Sequence, residues 1–328
     1  MTDRTRTVLA LTAGVVALAA ALLASLAFGA GTTAPSATLP ALWGAGSPED
    51  VVVVRDLRLP RTVLAVAIGA ALGVAGLLVQ TVTRNPLAEP GLLGVTAGAG
   101  FTITLGVLAG VAASPGAQLA LALVGALVTA ALVLAVGRSS PLRLVLAGMA
   151  TTSVLQGVSL GLRLVDPVAF DRFRVWTVGS LAGREQAPLT LPLVVVAVAL
   201  VAVLPLLRSL GTLAFGEQVA HAVGTRVTAV RLAAFALVTV LTAAATAAVG
   251  PVAFVGLMVP ALARWVGRGS LPVALAVSLL VGPLLLVVAD VLARLLLPTG
   301  EVPVAVVTAF LGGPVLVWAV RRLPAGAR

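Results

Sequence analysis

Runs of about 20 residues dominated by apolar side chains recur ten times along this chain, and no other feature limits its fold so tightly. They lie near 7–29, 61–81, 92–113, 117–137, 143–163, 188–207, 228–247, 250–266, 271–292 and 303–320. A helix rises about 1.5 Å per residue and the hydrocarbon core of a bilayer is about 30 Å thick, so each run has the length of one crossing. A transmembrane barrel would instead show short segments of alternating polarity. The expected fold is all-α: a polytopic membrane protein of about ten transmembrane helices, with residues 1–328 as a single domain. The first run follows Arg4 and Arg6 as a signal peptide would. It is longer than the apolar region of a typical leader and Asp3 precedes it, so it reads as an uncleaved helix.

Charge supports the same conclusion. Only 10% of the residues are charged, against about 25% in soluble domains, too few to cover a water-facing surface. All 21 basic residues are Arg, and their distribution orients the chain. With the amino terminus in the cytoplasm and ten crossings, the cytoplasmic side receives 13 Arg and 3 acids, and the outer side 8 Arg and 8 acids. The whole net charge of +10 then lies inside. That is the positive-inside distribution, and it predicts cytoplasmic termini in a cell membrane. A nucleic-acid partner is excluded, because no soluble basic domain exists to carry one.

Residue types that are missing narrow the chemistry. Without Cys there are no disulfides or thiolate metal sites, and without Lys there is no Walker A loop, so any ATP hydrolysis belongs to another subunit. No cofactor is expected. Gly157-Val-Ser159-Leu-Gly161 fits the G-x-S-x-G pattern of serine hydrolases, which needs a base beside the Ser. The single His, His221, falls in the cytoplasmic connection, far from mid-span Ser159, so Ser159 is expected to bond a backbone carbonyl or a neighbouring helix. Mid-span ionisable residues of a proton or ion relay are nearly absent. An ion-coupled secondary transporter therefore remains only a remote alternative. Asp290 and Arg294, at i and i+4, read as a pair near the outer end of the ninth helix. Gly pairs at i, i+4 (69/73, 94/98, 106/110, 157/161) offer close helix contacts, although 34 Gly make some such spacings inevitable.

Three connections carry more information. Residues 30–57 form the first outer loop. Residues 164–187 form the second, with a short helix expected at the outer face over about 171–182. Residues 208–227 form the largest cytoplasmic connection. There Leu213, Phe215, Val219 and Val223 recur at roughly helical spacing, Gly216 and Glu217 suit a helix start, and Gly224 suits its end. After the second run, Arg84-Asn85-Pro86-Leu87-Ala88-Glu89-Pro90 breaks the helix in a polar turn. The prolines are explained by that break alone. Irregular backbone so close to the bilayer also fits a cavity wall, as at the inner mouth of a pathway.

These segments carry a resemblance over about residues 55–322. Arg58-Leu-Pro-Arg61 leads into the Arg84–Pro90 turn and then Leu92-Leu-Gly94 with Gly98-Ala-Gly100. Trp176-Thr-Val-Gly-Ser180 follows, then Gly216-Glu217, Ala220 and Val223-Gly224. Gly250-Pro251-Val-Ala-Phe254-Val-Gly-Leu257 comes next with Pro260 and Arg264, then Asp290 with Arg294, Glu301-Val-Pro303 and Gly313-Pro314. In this order they resemble the FecCD-type permeases, membrane subunits of ATP-driven importers of iron-siderophores, haem and cobalamin. One departure is Ala261, where a His commonly follows the Pro.

The resemblance implies a type II ABC importer permease fold. A second permease subunit, alike or merely similar, would share a pathway lined chiefly by the fifth and tenth helices. Two ATP-hydrolysing subunits and an extracytoplasmic substrate-binding protein complete the implied assembly. It also implies that Arg58, Arg61 and Arg294 face acidic residues of the binding protein. Permanent charge and bidentate geometry suit arginine to that task, and snorkelling to the membrane interface is the simpler reading of each. Asn85, Pro86 and Leu87 match the inner gate turn, and Gly216, Glu217, Ala220 and Gly224, within about 209–226, match the helix that couples to the ATPase. The implied cargo is an iron(III)-siderophore moved by alternating access, with cobalamin or haem as the alternative.

Overall fold

The computed structural model describes residues 3–29, 33–137, 141–165, 176–184, 189–267, 269–297 and 300–321. Among them there is no strand. Ten principal helices follow one another: α1 (Asp3–Ala27), α2 (Leu59–Thr83), α3 (Val95–Leu108), α4 (Pro115–Gly137), α5 (Pro141–Val165), α6 (Thr190–Val203), α7 (Val227–Val249), α8 (Val255–Gly267), α9 (Leu271–Leu295) and α10 (Val304–Arg321). Seven described helices are long and apolar enough to cross a bilayer, and α3, α8 and α10 supply shorter apolar helices. Of the outer-face helix expected over 171–182, residues 171–175 lie outside the described residues; Trp176 and Thr177 are helical and the chain then turns.

The crossing by α2 begins earlier than its apolar run. Helical backbone starts at Pro48 and continues to Thr83, so the expected outer loop over 30–57 ends thirteen residues short of the run at 61. The cause is a full set of start signals. Ser47 Oγ accepts from Asp50 N at 3.1 Å, Pro48 occupies the first turn, and Glu49 and Asp50 sit where the helix dipole favours negative charge. A π-helical stretch, Val53–Arg58, joins this opening to α2.

The core is built on α2. It packs on α9, α7 and α8, and most of its apolar span is buried, whereas α1, α5 and α6 keep most of theirs at the periphery. The approach of α2 to α9 is set at Gly69 and Gly282: a β-carbon on either would strike the other's carbonyl. Gly98 of α3 and Gly125 of α4 are related in the same way. Lipid is as apolar as Leu, so packing between helices relies on such close backbone contact. Gly157 and Gly161 of α5, by contrast, have no neighbour within 4 Å of an added β-carbon.

The short helices have a structural reason. The third crossing, expected from residue 92, becomes α-helical only at Val95, after a 3-10 turn over Pro90–Leu93, and it starts inside the bundle. A β-carbon on Gly94 would lie 3.0 Å from Thr129 Cγ2 and 3.5 Å from Thr152 Oγ1, and both threonines sit well inside their own helices. The eighth, expected from 250, starts at Val255, with Gly256 seated against α2 between Leu72 and Gly76. The turn after α2 therefore folds back into the protein rather than staying at its rim. Non-helical backbone at that depth is sustained because protein, not lipid, surrounds it.

Candidate functional site

Sequence-distant charges meet at the end of the bundle where α2 begins. Arg61 Nε donates to Asp290 Oδ1 at 3.0 Å and its Nη2 to the same oxygen at 2.8 Å. Its Nη1 donates to Glu301 Oε1 at 3.1 Å. Arg294 Nη2 lies 3.0 Å from Asp290 Oδ2, and its Nη1 donates to the carbonyls of Ser25 and Phe28 at 3.0 and 3.1 Å. Arg58 Nη1 donates to the carbonyls of Leu26 and Ala27 at 2.8 and 3.0 Å. Ser25 and Thr62 hydroxyls, 2.8 Å apart, complete the join between α1 and α2.

Two expectations change here. Arg58, Arg61 and Arg294 do share one end, but they are not an open rim: their residues are 4%, 8% and 6% exposed, and Asp290 is 0% exposed. The Asp290–Arg294 pair is real and is half of a larger network. Glu301 was noted only as part of the Glu301-Val-Pro303 motif and Ser25 not at all, since neither has a spacing in the sequence that links it to these arginines. Buried charges at this depth hold only when paired and bonded, which this network achieves across α1, α2, α9 and the segment before α10.

The opposite end carries the turn and the short connection. Arg84 ends α2 in the left-handed region at φ 50°. Asn85 Oδ1 accepts from Leu87 N at 2.9 Å and Ala88 N donates to Asn85 O at 3.1 Å, a local lock in which Asn85 and Leu87 stay exposed while Pro86 is half-buried. Further along, Glu89 Oε1 accepts from Phe254 N at 3.4 Å, just ahead of α8. Phe254 itself sits at φ 69°, strained for a side chain of its size. Glu89, Thr96, Thr152, Gln156, Thr242 and Thr246 line a cavity of about 300 Å³ between α3, α5 and α7.

The 208–227 connection is two short helices, Leu207–Ala214 and Glu217–Ala222, parted by Gly216 at φ 117°. Leu213 is buried and belongs to the first, so it does not share a face with Phe215, Val219 and Val223, which are exposed. Ala220 packs inward, Gly224 at φ 77° ends the second helix, and Thr212 Oγ1 lies 2.9 Å from Thr225 Oγ1. Glu217 pairs with Arg231 of α7, and the bond and charge of that arginine hold its carboxyl below the ordinary range.

Among the described residues, the remaining chemistry-bearing side chains do not assemble a reaction centre. Ser159 does not meet its expected bond: its Oγ is buried without a hydrogen-bond partner, while its carbonyl accepts from Arg163 Nε at 2.8 Å. Among the described residues no three His, Asp or Glu side chains group as metal ligands.

The sequence motifs also converge. Ser180 N donates to Val249 O at 2.9 Å, and Ala305 N donates to Gly179 O at 3.2 Å, so the Trp176–Ser180 segment is seated between the Gly250-Pro251 bend and the start of α10. The profile of the FecCD transport family matches residues 17–322. This chain belongs to the FecCD transport family. Its relatives in that family include FepD, a ferric enterobactin transport system permease protein of Escherichia coli K12, 44% identical with 92% of each chain covered. FecD, an Fe(3+) dicitrate transport system permease protein of the same organism, is 36% identical over 94% of this chain and 96% of its own. HmuU, a hemin transport system permease protein of Yersinia pestis, is 33% identical over 92% and 93%. Among solved structures, a metal-chelate type ABC transporter in an inward-facing conformation matches with a TM-score of 0.84 at 26% identity, covering 97% of this chain and 100% of that one. The all-helical permease fold is thus that of a chelate transporter.

Proposed function

We propose that this chain is the membrane-spanning permease subunit of an ATP-driven importer that carries an iron(III)-siderophore across the cytoplasmic membrane by alternating access. The observation that carries this reading is the 44% identity to the ferric enterobactin permease, spread over 92% of both chains. An alignment of that extent spans nearly the whole chain rather than one segment of it.

The assembly follows from the reading: a second permease subunit, two ATP-hydrolysing subunits and an extracytoplasmic binding protein. The arginine excess supports placing both termini and the Arg84–Leu87 end in the cytoplasm. Glu217–Ala222 is then the coupling helix. Its exposed Val219 and Val223, with Phe215 beside them, are the contact for the ATPase, and Ala220 seats it on the bundle. Asn85, Pro86 and Leu87 form the inner gate turn, since an exposed, locally locked turn at the pathway mouth can be moved as a unit. At the outer end, Arg58, Arg61 and Arg294 mark the face offered to the binding protein's carboxylates. Arg58 is the one of the three that is best placed, because Arg61 and Arg294 are already paired with Asp290 and Glu301 whereas Arg58, among the described residues, bonds only the carbonyls of Leu26 and Ala27.

Uptake of labelled ferric siderophores, with haem and cobalamin as comparators, in cells with and without the gene tests the proposal. Loss of ferric-siderophore uptake alone is the expected result. Loss of haem uptake instead would move the cargo toward that of the hemin permease, 33% identical to this chain. Uptake that survives ATP depletion and fails with the ion gradient would favour a secondary transporter.

A further inference from the structure

A pocket of about 280 Å³ opens at the Arg84 end, between the close of α2, the close of α8 and the start of α9. Arg84 and Arg264 both line it, and neither guanidinium has a hydrogen bond or ion pair among the described residues. Arg84 is exposed, whereas Arg264 is half-buried with nothing to offset its charge. The field of Arg84 reaches Glu217, but that carboxylate is already bonded to Arg231. A partly desolvated cation without a counter-charge, as Arg264 is, is unfavourable, and the exposed Arg84 lines the same space.

The other walls define what would fit. Leu77, Ala214, Leu271 and Ala274 make one side apolar. At the start of α9, Ser270 makes no side-chain cap and Pro272 has no N–H, so the Leu271 and Val273 N–H groups of a 25-residue helix lack intrahelical acceptors beside the arginines. Gln80 is 3% exposed at the inner wall, and its Oε1 has no hydrogen-bond partner. Two cations, a helix N-terminus and an unused acceptor thus adjoin an apolar wall where membrane-spanning helices end.

We infer that this pocket binds a phosphate-bearing anion, the headgroup of an anionic phospholipid, between α2, α8 and α9. Arg84 and Arg264 hold the phosphate oxygens, Gln80 Oε1 accepts from a headgroup hydroxyl, and the apolar wall takes the glycerol and upper acyl carbons. The pocket adjoins Ala214, the last residue of the short helix that precedes Glu217–Ala222. The inference does not depend on which chelate the chain carries.

Native mass spectrometry of the full chain, purified in detergent and offered phosphatidylglycerol or phosphatidylcholine, tests this directly. One phosphatidylglycerol retained per chain is expected, with phosphatidylcholine lost. Arg84→Gln or Arg264→Gln should each weaken retention roughly fivefold, and the pair about twentyfold or more. Arg264→Lys should restore part of it, and Arg208→Gln, an exposed charge outside the pocket, should change it less than about twofold. Thermal unfolding of each variant separates lost binding from lost folding. Millimolar inorganic phosphate distinguishes the source of the anion: failure to displace the lipid identifies a headgroup site, and displacement with binding of its own identifies a free phosphate site. Equal retention of phosphatidylglycerol and of phosphate by the wild type and the Arg84→Gln/Arg264→Gln pair would overturn the inference.

Discussion

Arg61 and Asp290, 229 residues apart in the chain, are held in a fork in which two guanidinium nitrogens reach one carboxylate oxygen at 3.0 and 2.8 Å. The contact fastens the start of α2 to the end of α9 and aligns both with α1 through Arg294. Removing one partner leaves the other charged and buried. Asp290→Ala should therefore lower stability by about 3–5 kcal/mol. Arg58→Gln, which gives up bonds to two carbonyls, should lower it by about 1–3 kcal/mol. Unfolding midpoints in detergent check the order. For the same reason, charge reversal at Arg61 is expected to show first as a folding defect, so docking is better tested at Arg58, by binding-protein pull-down with folding monitored alongside.

Close approach makes a second prediction. Gly69→Val or Gly282→Val would drive a side chain into facing backbone, where neither partner can give way. The α2–α9 contact should open, at a cost of about 3 kcal/mol or more. Gly157→Ala and Gly161→Ala, with open space around both positions, should leave the folded fraction unchanged. Size-exclusion chromatography of the solubilised variants distinguishes the two groups.

Glu217 gives a pH dependence. Its folded carboxyl is held below its ordinary value by Arg231. Its contribution is therefore fully present above the ordinary glutamate range, near pH 4.5, and is lost as pH falls through the lowered folded value. Acid should release the Glu217–Ala222 helix from α7 before the rest of the bundle, which hydrogen exchange in that segment would register. Glu217→Arg places two cations together and is expected to abolish uptake while membrane insertion stays normal.

At the re-entrant turn, Glu89 accepts the N–H of strained Phe254 ahead of α8. Glu89→Gln keeps an acceptor and should retain most function. Glu89→Ala removes it and is expected to cost about 1 kcal/mol, the worth of a helix cap, together with a loss of uptake. Comparing the two variants in stability and transport assays separates the acceptor from the charge.

The helical layout was legible because apolar runs and Pro or Gly breaks report on it directly. The early start of α2 was present in Ser47-Pro48-Glu49-Asp50, a capping pattern overshadowed by the longer apolar run that follows. Burial of Arg58, Arg61 and Arg294 was not legible. An arginine at a span's edge has the same sequence context whether it snorkels, docks a partner or turns inward, and its partners Glu301 and Ser25 lie hundreds of residues away. The re-entrant depth of the Pro86–Gly94 segment was hidden likewise, since the prolines mark where a helix stops but not how far the chain then travels into the bundle. The short helix from Glu217 to Gly224 was expected, but the separate helix Leu207–Ala214 before it was not, and Leu213 was placed on the wrong face because the chain turns at Gly216.

The most direct measurement is uptake of iron-labelled ferric siderophores by cells lacking this gene and by the same cells complemented with it, with haem and cobalamin in parallel. The account predicts that uptake of one ferric siderophore is lost in the deletion, returns with the wild-type gene, and fails to return with Glu217→Arg. Unchanged uptake of every ferric siderophore, with loss of another substrate, would contradict it.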